Sequence, residues 1–210
     1  MDLRLEEIIR EYQGRRAMLD AEGVYFLRDI SDDEAEKFAK TLYLMALARQ
    51  FAPERPITVY INSGGGSVGA GFAIIEMIAS VRRQFGVRVD TVVLGYAYSM
   101  GAVVFQAGDQ RRMGPFSTLM LHGGSWVIAG DDDNIFRDVA KLSRLYRERI
   151  GDLFAERTGR HDAAWWRRFI YSGRDKYLSA AECLQLGLCD LVSEPALPSA
   201  QRPGPVAQAG

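Results

Sequence analysis

The stretch "GYAYSMGA", residues 95–102, sets Ser99 between small residues at the end of a β-branched run. Small side chains two positions before and after a serine let a strand and a helix meet at a sharp turn, which lifts the hydroxyl to the strand's carboxyl end. The pattern is a nucleophile elbow, G-x-S-x-G, with Ala97 in place of the first glycine. The Met100 amide would then point at the same place as the hydroxyl. The same small residues also suit a close helix contact, so the motif alone leaves Ser99 as either a nucleophile or a packing residue.

A serine needs a base before it attacks a carbonyl, and the chain has two histidines. His161, in "TGRHDAAWW", falls on a polar turn ahead of a helix and reads as a solvated residue near a cap. His122 closes the apolar run "STLML" and precedes Gly123 and Gly124. Its ring is expected where a buried strand reaches the end of a sheet, which is where α/β sheets bind ligands. A carboxylate must then hold the imidazole in one tautomer. Asp109, Asp131, Asp132, Asp133, Asp138 and Asp175 all follow Ser99, and spacing does not choose among them. Asp131 to Asp133 read as the cap of a helix; Asp175 lies in "GRDKYLSA", an expected loop between two helices.

"GGGSVG", residues 64–69, follows a short β-branched run and opens a helical one, and it satisfies G-x-G-x-x-G. A dinucleotide site also wants an acid at the end of the next strand, but Asp90 sits inside "VRVDTVVL". No Lys-Ser or Lys-Thr pair follows to make a phosphate loop. The better reading is that backbone N–H groups near Gly65 and Gly66 face a developing oxyanion, where each donor contributes roughly 3 kcal/mol. Consecutive glycines also admit a substrate backbone closely. Gly65, Ser67, Gly123 and Gly124 are therefore the expected substrate-lining positions, with a flexible turn as the plain alternative for the glycine loop.

The elements needed to hold these residues can be read along the chain. Leu5, Ile8, Ile9 and Tyr12 share one face of an opening amphipathic helix. "VYFLRDI" (24–30) reads as a strand, and Ser31 with Glu34 as a capping box for the helix that follows. "ITVYI" (57–61), "VRVDTVVL" (87–94) and "STLMLH" (117–122) read as further strands, each followed by a helical or glycine-rich segment. From Asp131 to about Arg157, apolar residues including Leu142, Tyr146, Ile150 and Phe154 recur every three or four positions, predicting a helix of about seven turns. Two short helices come next, and the tail from Glu194 has the composition of a disordered segment. Alternating strands and helices with continuous apolar runs predict an α/β fold with largely parallel strands covered by helices. The expected division is an N-terminal helix at 1–20, one domain at 21–193 and a tail at 194–210.

Composition narrows the function classes. The formal charge is −1 with acids and bases interspersed, which provides no basic face for nucleic acid. Cys183 and Cys189 have no neighbouring histidine, so two reduced core thiols are expected rather than a metal site or disulfide. The charged N-terminus lacks the apolar core of a secretory signal, and the two least charged stretches are broken by Gly, Ser, Gln, Thr and Pro. A cytoplasmic protein with no membrane span is expected.

Taken together, "YINSGGGSVGAGFAI", "GYAYSMGA", "LMLH" and "RDKYLSAAECLQLGLCD" resemble, in order, four segments of the ClpP family, the proteolytic subunits of Clp proteases. The resemblance runs from about Val24 to Val192. It implies a crotonase-like fold of repeated β-α units with an extended handle helix near residues 131–157. It implies a serine endopeptidase with Ser99 as nucleophile, His122 as general base, Asp175 as orienting carboxylate, and the Gly66 and Met100 amides as the oxyanion hole. It further implies a homo-oligomer of stacked heptameric rings, peptide or unfolded-protein substrates, an AAA+ unfoldase as partner, and no cofactor or metal, ATP being used by that partner alone. A non-catalytic ring subunit and a crotonase-type acyl-CoA enzyme are the rival readings. The chain departs from the family pattern at Gly64, where a proline is usual, at Gly123-Gly124 in place of Gln-Pro, and at Tyr98, which replaces a small residue. Its N-terminus does not resemble the family's axial loop, part of the ATPase docking surface.

Overall fold

The computed structural model describes residue 14 and residues 21–49, 54–124 and 133–194. Apart from residue 14, the expected N-terminal helix lies outside the described residues, as do residues 125–132 and the tail beyond Glu194. Strand β1 (Val24–Ile30) leads to α1 (Asp32–Arg49), β2 (Ile57–Gly66) to α2 (Val68–Phe85), and β3 (Val89–Tyr98) to the short α3 (Met100–Phe105). Then come β4 (Arg111–Met113), β5 (Thr118–Leu121), the long α4 (Asp133–Thr158), α5 (Ala163–Ile170), β6 (Lys176–Ser179), α6 (Ala180–Gln185) and β7 (Leu191–Val192).

The sheet runs β1-β2-β3-β4-β7 with every pair on that path parallel; β5 also pairs parallel with β3, and β6 joins β5 antiparallel. This is a mixed α/β architecture with a largely parallel sheet, as the alternating strands and helices of the sequence predict. Parallel strands bury both faces, and Val89 to Val93 are all buried although Asp90 and Thr91 are polar. Helices α1 and α2 cover the sheet through Phe38, Leu42, Ile74 and Ile78, each fully buried. A second layer joins α4 to α5 through Phe154 and Trp166, whose rings lie 5.2 Å apart.

Three short strands differ from the sequence reading. "GRDKYLSA" is not a loop: from Lys176 it is the antiparallel strand β6, and β4 and β7 are strands of three and two residues. Four or fewer residues are too few for alternation to show. Ser31 does cap α1, its Oγ accepting from the Glu34 amide at 3.2 Å. The Glu34 carboxylate, however, accepts from the Tyr25 hydroxyl at 2.6 Å and from Lys37 at 3.0 Å. The complete capping box lies at α6, between Ser179 and Glu182.

The feature that positions the site is a break in β3. Ile61 pairs with Val93, but Ser63 pairs with Ala97, so β3 carries extra residues around Gly95. Gly95 takes φ +78°, and the Asn62 side-chain amide donates to the Leu94 carbonyl beside it. Before this bulge β3 pairs with β4 through residues 91–93; after it, residues 96–98 pair with β5. The last turn of β3 therefore belongs to a small three-stranded corner with β5 and β6.

Candidate active site

Ser99 ends β3 and caps α3 with φ +52° and ψ −124°, the one non-glycine residue of positive φ among the described residues. Such a conformation costs on the order of 1–3 kcal/mol and persists only where its surroundings enforce it. They do so here: the Ser99 amide donates to the Met120 carbonyl at 2.8 Å, and the Ser99 carbonyl accepts from the Ala102 and Val103 amides at 3.1 and 3.4 Å. The small residues of the motif are accounted for by the same packing. Ala97 is fully buried, and a Cβ on Gly101 would stand 3.0 Å from the Ser63 Cβ. The close packing that the small residues allow also leaves the Ser99 hydroxyl facing His122.

The glycine loop nests against this turn. Gly65 takes φ +100°, and a Cβ there would fall 2.7 Å from the Ser99 Cβ and 2.9 Å from the Tyr98 carbonyl. Its amide donates to Ser63 Oγ at 3.1 Å, which takes it out of the pair of oxyanion donors considered for this loop. The Ser67 amide donates to the Ile30 carbonyl at 2.7 Å; by the two-residue alternation of a strand, the Gly66 N–H points away from β1. Met100 opens α3, where an N–H has no acceptor within the helix. Its side chain turns inward, buried against Gly71.

The β3–β5 register sets Tyr98 opposite Met120, and His122 follows two residues later, just past the end of β5. Its Nε2 stands 2.7 Å from Ser99 Oγ. Pairs of β5 and β6 run Thr118–Ser179, Leu119–Leu178, Met120–Tyr177 and Leu121–Lys176. The next step outward is His122 opposite Asp175, and there His122 Nδ1 lies 4.0 Å from Asp175 Oδ1. This is ion-pair distance rather than a hydrogen bond, and the Asp175 side chain is 53% exposed against 27% for the imidazole.

Ser99 and His122 open into a cleft of about 520 Å³. Gly66, Ser67, Met100, Gly123 and Gly124 line it as well, whereas Gly65 lies behind the turn and Asp175 on the far side of the imidazole. The opposite wall comes from α4 and α5, through Leu142, Tyr146, Arg147, Ile150, Phe154 and Tyr171. The periodicity of α4 made its apolar stripe visible, but not that Leu142, Tyr146 and Ile150 face the serine. A Cβ on Gly123 would meet the Tyr171 ring at 3.2 Å, so that ring sets the course of the chain after His122.

The remaining candidates fall elsewhere. His161 is exposed and stacks on Trp165, with ring centroids 3.7 Å apart and planes 12° from parallel. Asp109 pairs with Arg82 and accepts from the Val89 amide. Asp90 is the second residue of β3, far from its carboxyl end, bound by Arg88 and the Gln110 amide. A nucleotide ribose has no acid to bind at the strand end. Burial raises the Cys183 thiol above its ordinary range and the Cys189 thiol to about 11. Both are free, weakly bonded to backbone carbonyls and unsuited to act as thiolates. Among the described residues no group of three His, Cys, Asp or Glu is placed to hold a metal ion, and no helix is long and apolar enough to cross a membrane.

Comparison with known proteins gives one consistent result. The family model described as Clp protease matches residues 6–196. Over 184 residues the chain is 33% identical to the ATP-dependent Clp protease proteolytic subunit 1 of Chlamydia muridarum, covering 83% of this chain and 88% of that protein. The protein of the same name from Chlamydia abortus is 34% identical over the same coverage.

Proposed function

Since the chain belongs to the Clp protease family, we propose that it is a serine endopeptidase working through Ser99, His122 and Asp175. The observation that carries this reading is the 2.7 Å approach of His122 Nε2 to Ser99 Oγ on a strained turn that exposes the hydroxyl. His122 takes the Ser99 proton as Oγ adds to the peptide carbonyl carbon. The Gly66 and Met100 amides receive the oxyanion. His122 then returns the proton to the leaving amine, and the C–N bond breaks to leave an acyl-enzyme. Water, deprotonated by the same imidazole, releases the carboxylic acid and restores the serine. Asp175 holds the Nδ1–H side of the ring and balances the imidazolium. At 4.0 Å it does so chiefly by charge.

Assembly completes the reading. Phe26, Leu44, Phe116, Phe136 and Tyr177 are more than half exposed. We propose that copies of this chain cover that surface in stacked rings, enclosing the clefts in a chamber. The relatives' names tie their activity to ATP, and here ATP hydrolysis would belong to a separate unfoldase that feeds the chamber.

A fluorophosphonate probe tests the chemistry directly. Stoichiometric labelling at Ser99, lost in Ser99→Ala, is the expected result, and removal of the nucleophile should lower peptide turnover by roughly a million-fold. An assembled, folded protein that is never labelled would instead support the non-catalytic ring subunit.

A further inference from the structure

Among the described residues that line the cleft, Asp32 and Arg147 carry the carboxylate and guanidinium charge. Asp32 stands beside the glycine loop and Arg147 on the opposite wall, with Met100, Val103, Leu121, Ile150 and Phe154 making an apolar floor between them. Arg147 is held there: its guanidinium carbon lies 4.7 Å from the centroid of the Tyr171 ring, the same ring that packs under Gly123 next to His122. An arginine stacked on an aromatic face keeps its N–H fork free for a planar acceptor. Among the described residues no carboxylate lies within ion-pair distance of Arg147.

Arg147 and Tyr171 also border a second groove, of about 610 Å³, which adds Arg144, Arg167 and Arg168 against Glu148 and Asp152. Asp152 is already shared with Arg167 at 3.4 Å. The α4–α5 end of the cleft is therefore locally positive in a chain whose formal charge is −1, and the glycine-loop end is negative.

We infer that Arg147, braced on Tyr171, binds an acidic side chain of the substrate close to the scissile bond, so that the enzyme favours peptides carrying Glu or Asp there. The inference rests on the peptidase reading above and adds a substrate class to it. Guanidinium and carboxylate match as a fork of two parallel hydrogen bonds. Asp32 repels the same carboxylate from the other end, which fixes the direction in which an acidic peptide lies. An exposed pair of this kind is worth up to about fivefold in binding and weakens with salt.

The test uses the assembled protein and peptides blocked at the N-terminus and ending in an amide-linked coumarin, so that no terminal carboxylate is present. Glu, Gln or Lys occupies each of the two positions before the scissile bond in turn. In wild type the Glu peptide should exceed the Gln peptide about fivefold in kcat/KM at low ionic strength, with the ratio falling toward one in high salt. Arg147→Glu should reverse the order in favour of Lys, and Arg147→Lys should keep a reduced preference for Glu. Arg83→Glu, an equal change of charge at the far end of α2, should leave the wild-type ratio in place. Equal rates for Glu and Gln at both positions, with Ser99 still labelled by fluorophosphonate, would overturn the acidic preference and leave the peptidase standing. A preference that survives Arg147→Glu would also overturn it. Absence of both labelling and cleavage would remove the peptidase reading itself.

Discussion

His122 and Asp175 face each other because the antiparallel register of β5 and β6, carried one step past Leu121–Lys176, makes them the next pair, and their nearest side-chain atoms stand 4.0 Å apart. A carboxylate half in water at that distance helps the imidazolium less than a buried, hydrogen-bonded one would. Asp175→Asn should therefore lower kcat, but by less than the roughly 10⁴-fold seen where the carboxylate is buried. Steady-state kinetics on a short fluorogenic peptide measure this directly. A loss as large as that of Ser99→Ala would show that the two side chains close fully during turnover.

Gly65 is the position where backbone geometry and chemistry meet most tightly. An alanine there must hold φ +100° and bring its methyl to 2.7 Å from the Ser99 Cβ. Strain and overlap together should destabilise the fold by about 1–3 kcal/mol. Because the displaced atom belongs to Ser99, Gly65→Ala should also slow fluorophosphonate labelling by at least ten times. Gly64→Ala is the matched comparison, since a Cβ there meets nothing within 4 Å. It should label at the wild-type rate.

How much of this was readable beforehand depended on segment length and chain distance. The turn at Ser99 was legible because its neighbours had to be small. His122 was legible because one of two histidines ended an apolar strand. The parallel α/β plan followed from long buried runs such as that of β3. Asp175 was not readable from local pattern: it enters through β6, four residues long and half exposed, whose partner β5 lies across the whole of α4 and α5. Resemblance to a family named Asp175, and the register now accounts for its placement. The wall formed by Arg147 and Tyr171 was equally hidden, because a helical stripe shows that a face is covered and not what it covers.

Tyr98, the residue that departs from a small-residue pattern beside Ser99, has a partner. Its ring lies 4.8 Å from Tyr96 and meets Tyr177 edge-on at 5.8 Å and 88°. Tyr177 is two residues beyond Asp175, so the contact fastens β6 to β3 across β5. Tyr98→Ala should cost about 1 kcal/mol for the aromatic contact, read as a lower urea midpoint. If the fastening matters to Asp175, kcat should fall severalfold in Tyr98→Ala but change little in an Asp175→Asn background. Additive losses would mean that Tyr98 only stabilises the corner.

The last strand offers a pH test away from the cleft. Burial favours the neutral form of Asp190, but hydrogen bonds from the Arg111 side chain and backbone outweigh it and hold the carboxyl below its ordinary range. Arg111 is nearly fully buried, and it also donates to Gln106 at 2.7 Å. A carboxyl whose folded pKa lies below its unfolded one binds its proton more readily when unfolded, so the stability it adds is complete above the unfolded value, about 4. That stability is lost as the pH falls from there through the lower folded value. Asp190→Asn should accordingly lower the melting temperature at neutral pH and flatten its fall between pH 5 and pH 3, roughly the window set by the ordinary carboxyl range. Arg111→Met should cost more than Asp190→Asn at neutral pH, because it removes the side-chain donor shared by Asp190 and Gln106, leaving Asp190 with the backbone N–H alone and Gln106 Oε1 without that partner. Equal acid sensitivity of wild type and Asp190→Asn would place the acid-labile contact elsewhere in the fold.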